Sequence, residues 1–306
     1  MQTILGANGS IGIPLAKELK KYTENIRLVS RNPKKVNESD ELFKCDLTSS
    51  DDVFKAVEGS EVVYMTAGFP YKTEVWKQIW IPVIKNIIDA CKQHKSKLVF
   101  FDNIYMYDPE KVGNMKEDCP VNPSSEKGKI RKTVAELVLK AHESVEIKTL
   151  IARSADFYGP DSEGRSVLQE VVIKNLKAGK RANWLGSADN IHSFTFTLDA
   201  AKGTAILGND DSAYGQIWHL PTSSEKITGK QLIEMVASEL NTKPKYVTAG
   251  NFMVKTIGLF DPIMKEFVEM MYQYDRDYFF DSSKFNEKYN FVPTSYKEGI
   301  KNTINA

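Results

Sequence analysis

The feature that most constrains the fold is a GxxGxxG motif between a strand-like and a helix-like stretch at the start of the chain. The apolar run of residues 2–5 predicts a strand, and Ile11, Leu15 and Leu19 recur at the spacing of a helix face. Glycines at such a junction let the backbone approach a dinucleotide pyrophosphate, whose charge the helix N-terminus stabilises. A glycine turn without a ligand is the less favoured alternative in this context. The residues expected to bind the cofactor here are Gly6, Asn8, Gly9, Ser10, Ile11 and Gly12.

Strand-like and helix-like stretches keep alternating through the first half of the chain. Further strands are predicted near residues 26–29, 42–45, 61–65, 97–101 and 146–151, and helices near residues 51–57, 76–93 and 127–141. This order is typical of an α/β fold with a doubly wound parallel Rossmann sheet. Beyond Pro160 the elements become shorter and more mixed. We therefore predict a nucleotide-binding Rossmann domain over residues 1–160 and a smaller C-terminal α/β substrate-binding portion over residues 161–306, with some elements returning to the first domain.

Composition narrows the range of partners and locations. The 306 residues carry 41 basic and 40 acidic side chains, for a net charge of +1, which favours neither nucleic acid nor a membrane as a partner. The three cysteines, Cys45, Cys91 and Cys119, match neither a zinc site nor a disulfide framework, so no metal is expected. A strand-like run from residue 2 leaves no room for a signal peptide. We expect a cytoplasmic protein that binds a small-molecule substrate, with a homodimer left open.

The end of the second predicted strand bears on the choice of cofactor. NAD-selective sites place a carboxylate there to bind the ribose 2′-hydroxyl. This chain has Ser30 and Arg31 instead, followed by Lys34 and Lys35, and an arginine can fork onto a 2′-phosphate. NADP is therefore favoured over NAD, although NAD and a solvated basic loop stay open. Asp46, after the third strand, could accept from the adenine amino group or cap the next helix.

Several segments together resemble the extended short-chain dehydrogenase/reductase superfamily, in its NAD-dependent epimerase/dehydratase branch. The resemblance implies that Asp46-Leu47 lies at the adenine and that Thr66-Ala67-Gly68 passes close to the cofactor. Residues 153–160 are similar to the RxxNxYGP segment of the superfamily, with Asp156 replacing the asparagine. Residues 192–199 and 281–299 also match its C-terminal layout.

The catalytic positions are where the chain departs from this superfamily. Its members typically use a Tyr-x-x-x-Lys pair on the helix after the fifth strand, with a serine or threonine at the end of that strand. One alignment puts Lys132 in the lysine position, where it would hold the ribose, and Gly128 in the tyrosine position. A one-residue shift pairs Lys127 with Arg131 instead. Neither alignment supplies the tyrosine, and Asn103 takes the place of the serine.

Other side chains could replace the missing groups. Asn103 could donate its amide to a substrate carbonyl, and Tyr105 and Tyr107 just beyond it could supply a proton. Each of the two tyrosines could equally be a packed aromatic with a satisfied hydroxyl. Tyr158 is a further candidate at the substrate. His192 occupies the loop where the superfamily often places a substrate-contacting arginine.

Residues 252–278 are rich in methionine and aromatic side chains. Phe260, Met264, Phe267 and Met271 recur at helical spacing, which predicts a buried face for most of this region. A substrate pocket or a dimer contact is the lesser alternative.

The leading hypothesis is NADP-dependent hydride transfer on a small carbonyl, alcohol or sugar-like substrate. A non-catalytic NADP-binding sensor or regulatory protein is the alternative, because the usual tyrosine and serine are missing.

Overall fold

The computed structural model describes residues 1–145 and 147–306, and its strands confirm the parallel Rossmann arrangement. A seven-stranded sheet runs in the order β10-β6-β5-β4-β1-β2-β3, and every pairing in it is parallel. The last predicted strand of the first domain lies at Thr149–Arg153, and Glu146, where it was predicted to begin, is outside the described residues. The strands are β1 (Gln2–Leu5), β2 (Ile26–Ser30), β3 (Glu41–Lys44), β4 (Val62–Met65), β5 (Lys97–Asp102), β6 (Thr149–Arg153), β7 (Asp156–Tyr158), β8 (Ala182–Leu185), β9 (Phe194–Phe196), β10 (Ile217–His219) and β11 (Tyr246–Ala249).

Helices connect the strands and cover the sheet. The α-helices are α1 (Gly12–Leu19), α2 (Ser50–Val57), α3 (Thr73–His94), α4 (Glu126–Glu143), α5 (Lys174–Lys177), α6 (Thr197–Gly208), α7 (Gly229–Glu239), α8 (Asn251–Ile257), α9 (Pro262–Phe267), α10 (Ser283–Tyr289) and α11 (Tyr296–Ile304). Short 3₁₀ helices span Pro109–Asn114, Asp211–Ala213 and Val268–Gln273, and a π-helical turn spans Gln169–Ile173. Among the described residues, no helix is both long enough and apolar enough to cross a bilayer.

Two hydrophobic layers enclose the central sheet. On one face Leu5, Val63 and Phe100 pack with α2, α3 and α4, and on the other Ile4 and Tyr64 pack with α1 and α6. Neighbouring residues of one strand therefore point into different cores, which explains why the strands read as continuous apolar runs. Because both faces of this sheet are buried, the places left for a ligand are beyond the ends of its strands.

Local capping fixes where the helices near the site begin. The Ser49 hydroxyl accepts from the Asp52 amide at 3.3 Å at the start of α2, and the Ser125 hydroxyl accepts from the Gly128 amide at 3.0 Å at the start of α4. Such caps satisfy amides that have no partner inside the helix. The start of α4 also lies close to the segment after β5, because a Cβ on Gly128 would meet the Tyr105 carbonyl oxygen.

The second half of the chain builds a separate core and also returns to the first. The pairs β7–β9 and β8–β11 form small parallel sheets. Trp184 and Phe194 pack there with Leu232 of α7 and Ile300 of α11. In contrast, β10 completes the central sheet beside β6, and α6 packs in the same core as α1.

Candidate cofactor and substrate site

The glycine loop after β1 is packed so closely that side chains are excluded. Gly6 has a φ of 96°, and a Cβ there would lie 2.4 Å from the Ala67 Cα. A Cβ on Gly12 would lie 2.6 Å from the Gly6 carbonyl oxygen, and one on Gly9 would lie 3.2 Å from it. The Gly6 amide donates to the Val29 carbonyl at 2.9 Å, which joins the loop to β2. The loop therefore forms a narrow backbone cradle at the carboxyl end of the sheet.

Backbone donors in this cradle are free to bind an anion. The amides of Ser10, Ile11 and Gly12 make no hydrogen bond to any part of the chain that the structure describes. They lie at the N-terminus of α1, where unpaired amides and the helix dipole favour a negative charge. These residues fit the pyrophosphate of a dinucleotide.

Two side chains of the loop brace it. The Asn8 amide nitrogen donates to the Asn32 carbonyl at 2.7 Å, and the Ser10 hydroxyl donates to the Asp161 carbonyl at 3.0 Å. Asn8 thereby ties the loop to the segment after β2, and Ser10 ties it to the loop after β7. Ile11 is buried in the core beneath α1.

The segment after β2 presents an available arginine. Arg31 is exposed and has no ion-pair partner among residues 1–145 and 147–306. The Ser30 hydroxyl accepts from the Asn32 amide at 3.2 Å, which shapes the turn that carries Arg31. An unpaired guanidinium here is placed to bind a phosphate group.

Asp46 lies in a turn after β3 and does not cap α2. Its carboxylate accepts from the Thr48 amide at 3.0 Å and from the Thr48 hydroxyl at 2.8 Å, whereas Ser49 is the N-cap. These two hydrogen bonds lower the pKa of Asp46, and the charge of Arg31 lowers it further. Leu47 is half-buried against the core. Asp46 and Arg31 thus lie near one another, as a shared adenosine site requires.

The residues after β4 approach the glycine loop. The Thr66 amide and hydroxyl donate to the Leu5 carbonyl at 2.9 and 3.2 Å. Ala67 is the neighbour that excludes a side chain from Gly6. Gly68 is exposed, and a Cβ at that position would have no other atom within 4 Å. The structure therefore brings the predicted Thr66-Ala67-Gly68 segment to the cofactor cradle.

The end of β5 presents an amide and a tyrosine. The Asn103 side-chain oxygen accepts from the Tyr105 amide at 3.1 Å, and its amide nitrogen has no hydrogen bond to any described residue. The Tyr105 ring stacks on Trp76 with centroids 6.2 Å apart. Burial raises the pKa of Tyr105 and the charge of Asp156 raises it further, while the Tyr71 hydroxyl and Arg131 oppose this. Tyr105 is therefore protonated at neutral pH.

Tyr107 is placed in the core rather than at the cleft. Its side chain is fully buried, and its hydroxyl lies 2.7 Å from Nε2 of His219. Nδ1 of His219 lies 2.8 Å from the Asp281 carbonyl. Nδ1 therefore donates a hydrogen bond to that carbonyl, and Nε2 accepts one from the tyrosine hydroxyl. Burial raises the pKa of Tyr107 to about 12. Tyr107 is therefore a packed aromatic with a satisfied hydroxyl.

Helix α4 turns a different set of residues toward the site than the first alignment predicts. Lys132 is 41% exposed and lies 3.9 Å from Glu136 on the surface, so the structure does not bring it to Asn103. A Cβ on Gly128 would lie 2.3 Å from the Tyr105 carbonyl oxygen, so no tyrosine fits that position. The inward positions are Lys127 and Arg131, which the shifted alignment pairs.

Lys127 is fully buried and held by the C-terminal region. Its ammonium donates to the Thr73 hydroxyl and to Oε1 of Glu269, both at 2.9 Å, and to Oε2 of Glu266. It also lies 4.7 Å from the centre of the Tyr71 ring. Hydrogen bonds from Lys127 and Thr73 hold the pKa of Glu266 below its usual value, although burial opposes them. The position that one alignment gives to the catalytic tyrosine thus carries a buried lysine bound to two carboxylates.

A second buried ion cluster lies beneath Asn103. Nε of Arg131 donates to Asp102 at 2.9 Å, and Nε of Arg153 donates to the other carboxylate oxygen at 3.3 Å. The Arg131 guanidinium lies 4.1 Å from the ring of Trp80. Asp102 also accepts a hydrogen bond from the backbone amide of Asn103 at 2.8 Å. The cluster therefore fixes the backbone of Asn103, whose side chain is the candidate oxyanion donor. No group of three or more His, Cys, Asp or Glu side chains within the described residues is arranged to hold a metal ion.

The two predicted substrate residues lie in different surroundings. Tyr158 is buried in the C-terminal core and stacks on Tyr296 with centroids 6.1 Å apart. His192 is buried between the rings of Tyr274 and Tyr278, at 4.9 and 4.4 Å, and its Nε2 lies 3.2 Å from Asp156. The structure therefore brings His192, but not Tyr158, to the side of the site that Asp156 shares with Tyr105.

Helical spacing indicated some of the inward-facing residues of the site, but not their partners from the C-terminal region. Lys127 and Arg131 share the buried stripe of α4 with Val134 and Val138, and that spacing was a readable sign that both face inward. Glu266 and Glu269 are more than a hundred residues away from Lys127, so only the tertiary structure reveals their role.

Comparison with known proteins supports a family assignment. The model of a family described as the NAD dependent epimerase/dehydratase family matches residues 3–219. An uncharacterized UDP-glucose epimerase, YtcB, of Bacillus subtilis (strain 168) is 24% identical over 165 residues, which are 51% of this chain and 52% of that protein. The match thus spans about half the length of that relative. The decarboxylating sterol-4-alpha-carboxylate 3-dehydrogenase of Bos taurus is 25% identical over 262 residues, 80% of this chain and 71% of that one.

Solved structures share the fold over the whole chain. The UDP-glucuronic acid 4-epimerase of Bacillus cereus, in complex with NAD, superposes with a TM-score of 0.81 at 19% identity, covering 100% of this chain and 98% of that one. The UDP-glucose 4-epimerase of Thermus thermophilus, also in complex with NAD, superposes with a TM-score of 0.79 at 18% identity, covering 100% and 98%. At this level of identity the likeness establishes the fold.

Proposed function

Because this chain belongs to the NAD-dependent epimerase/dehydratase family, we propose that it is an NADP-dependent oxidoreductase acting on a small carbonyl, alcohol or sugar-like substrate. The observation that carries the proposal is the juxtaposition of two features at one edge of the sheet. Unpaired amides at the start of α1 fit a pyrophosphate, and Asn103 with Tyr105 follows β5, two strands from β1. Ligands bind at this edge in open α/β sheets.

The preference for NADP rests on charge. The β2 end offers no carboxylate for a ribose 2′-hydroxyl, whereas Arg31 is exposed and unpaired within the described residues. A guanidinium can bind a 2′-phosphate through two hydrogen bonds. Asp46 would remain ionised beside it and accept from the adenine amino group. The three cysteines are free and buried, which suits the reducing cytoplasm that we propose as its location.

The chemistry divides between the cofactor and two side chains. When bound, the nicotinamide supplies or accepts the hydride. Asn103 would donate its free amide to the substrate oxygen, and Tyr105, protonated at neutral pH, would donate or recover the proton. Arg131 and Arg153, which share the single carboxylate Asp102, would place net positive charge beneath Asn103, whereas the two carboxylates on Lys127 outweigh its charge.

The first experiment separates cofactor binding from turnover. We expect the wild type to bind NADP more tightly than NAD in calorimetric titration, and Arg31→Ala to remove that difference without weakening NAD binding. Equal affinities for the two cofactors in the wild type would contradict the NADP assignment. Absence of binding to either cofactor would contradict the whole proposal.

The second experiment concerns the proton donor. With a substrate found by screening NADPH oxidation, Tyr105→Phe and Asn103→Ala should each lower kcat/KM by about a hundredfold while leaving NADP affinity unchanged. Tyr22→Phe, a change at an exposed tyrosine after α1, is the control. Unaltered kcat/KM in both site variants would mean that other groups handle the proton.

A cofactor-binding sensor is the second candidate function. Neither Lys127 nor Gly128 supplies the tyrosine of the superfamily, and Lys127 is locked by two carboxylates. Tight NADP binding without NADPH oxidation across carbonyl, enone and nucleotide-sugar panels would favour this candidate.

A further inference from the structure

An apolar patch lies on the outer face of α8, α9 and the turn between them. Its members are Phe252, Met253, Ile257, Leu259, Phe260 and Ile263. Phe252, Leu259 and Phe260 are 85%, 78% and 86% exposed. Nearly half of the large apolar side chains that are exposed in the described residues belong to this stretch of the chain. The helical face predicted to be buried here is therefore in part exposed, which corrects that expectation for Phe260.

The two helices turn several apolar side chains away from the protein, whereas Val254, Met264 and Phe267 pack inward. In α8 only Val254 is buried, and in α9 no residue is buried. A surface helix of a soluble protein normally buries its apolar stripe, and a contiguous exposed apolar area marks an interaction surface. Other strongly exposed apolar residues, such as Val292, are isolated along the chain.

The exposed lysines around the patch outnumber the one carboxylate within it, Asp261. Lys255 and Lys265 are exposed on α8 and α9, and Lys72 precedes Thr73, which bonds to Glu266 of α9. None of these lysines has an ion-pair partner among the described residues. Asp261, in the turn, is used as the N-cap of α9, where it accepts from Ile263 and Met264. The patch therefore combines exposed apolar side chains with an excess of positive charge, three lysines against Asp261.

We propose that this patch docks the protein on an anionic lipid surface. Apolar side chains enter the boundary between headgroups and acyl chains, and flanking lysines are attracted to anionic headgroups. A second copy fits less well, because a twofold contact through the patch would bring three lysines of each copy together against one Asp261 from each. The proposal differs from the expectation that a membrane is not a partner, because that expectation rested on the net charge of the whole chain and the proposal rests on one patch.

Docking would also orient the candidate site. Phe267 of α9 packs on Tyr71 with ring centroids 5.4 Å apart, and Glu266 holds Lys127. The inner face of the patch-bearing segment is thus a wall of the site. A substrate that partitions into the lipid surface would reach the cleft from that side.

The test is co-sedimentation of the full chain with vesicles, measured without substrate and so independently of the proposed reaction. Vesicles of phosphatidylcholine and phosphatidylserine at 7:3 should retain the wild type, and pure phosphatidylcholine should retain less. The triple variant Phe252→Ser, Leu259→Ser, Phe260→Ser should partition at least about tenfold more weakly. Val292→Ser, an exposed apolar residue outside the patch, is the matched control.

A charge variant tests the second half of the proposal. Lys255→Glu with Lys265→Glu should weaken partition by about tenfold and abolish its salt dependence, whereas Lys297→Glu with Lys301→Glu, an equal change of net charge on α11, should not. Absence of wild-type sedimentation, or equal retention of wild type and triple variant, would overturn the proposal. So would a concentration-dependent dimer, seen by light scattering without vesicle binding and abolished by the triple variant.

Discussion

Gly12 is the residue whose replacement tests the cofactor cradle most directly. A Cβ there would approach the Gly6 carbonyl oxygen to 2.6 Å and the Ala7 Cα to 2.8 Å, so Gly12→Ala must push the loop away from α1. We expect NADP affinity to fall at least about tenfold, which corresponds to about 1.4 kcal/mol. Calorimetric titration measures this loss. Gly250→Ala is the control, because that glycine has a φ of −72° and open space around it. Equal affinity in folded Gly12→Ala and Gly250→Ala would contradict the assignment.

His219 should make stability depend on pH. Burial lowers its pKa to about 3, and the nearby Arg153 charge adds to this, while the Asp281 carbonyl opposes it. A histidine in the unfolded chain titrates near pH 6.5, so the unfolded state binds more protons between about pH 6.5 and 3. The free energy of unfolding should therefore fall as pH decreases through this window, by at most about 1.4 kcal/mol per pH unit from this residue.

Urea unfolding at pH 7.5 and 5.5 measures the contribution of His219. His219→Gln should be less stable than the wild type at pH 7.5 but lose about 1 kcal/mol less on acidification. His94→Gln changes a half-buried histidine outside this hydrogen-bond pair and serves as the control. A pH dependence in His219→Gln equal to that of the wild type would refute the assignment.

Helix α4 is joined to the C-terminal region through Lys127. The ammonium is fully buried, and Glu266 and Glu269, its partners, are 19% and 25% exposed. Lys127→Met keeps most of the volume but leaves two carboxylates together without their cation. Because removing one partner of a buried ion pair costs about 3 kcal/mol or more, we expect a loss of about 3 kcal/mol in the free energy of unfolding.

Denaturant unfolding checks this value, and Lys132→Met provides the comparison on the same helix. Lys132 is 41% exposed, and its contact with Glu136 is a surface pair, so its replacement should change stability by less than about 0.5 kcal/mol. Two variants of equal stability would show that Lys127 does not hold the C-terminal region in place.

At the level of helices and strands, periodic patterns located most elements but did not always identify the buried side. The helices predicted near residues 51–57, 76–93 and 127–141 are observed at Ser50–Val57, Thr73–His94 and Glu126–Glu143. The region around Phe260 also carries helical spacing, yet α8 and α9 are short and turn apolar groups outward. Periodicity shows that apolar residues share a face, but not whether another element covers that face.

The molecule as a whole interleaves its two parts. Strand β10 pairs with β6, and Ala200 and Ala205 of α6 pack in the core that contains Leu15 of α1. Because these elements lie beyond residue 160, we expect a fragment of residues 1–160 to expose one face of its sheet and not to unfold cooperatively. Circular dichroism during denaturant titration measures this, with the full chain as control. A fragment that unfolds in one sharp transition and binds NADP would establish residues 1–160 as an independent domain.

How much of the candidate site could be predicted from the sequence depended on how close its residues are along the chain. The glycine loop, the segment after β2 and the turn at Asp46 each lie within a few residues of the ends of strands, so consecutive residues were enough to predict them as candidates. The two alignments of the Tyr-x-x-x-Lys pattern on α4 differ by one residue. A shift of one residue rotates a side chain by about 100° around a helix, which decides whether Lys132 faces the site. For that reason the sequence left two pairings open, Gly128 with Lys132 and Lys127 with Arg131, and only packing showed that Lys132 faces outward.

Sequence alone determined the parallel α/β architecture and the glycine loop between β1 and α1, because strand length, helix period and glycine spacing are properties of consecutive residues. Only the tertiary structure decided that Tyr107 hydrogen-bonds to His219, that Glu266 and Glu269 bind Lys127, and that Phe252 and Phe260 are uncovered. Those outcomes depend on which distant segments meet, and burial and charge act through such neighbours in space.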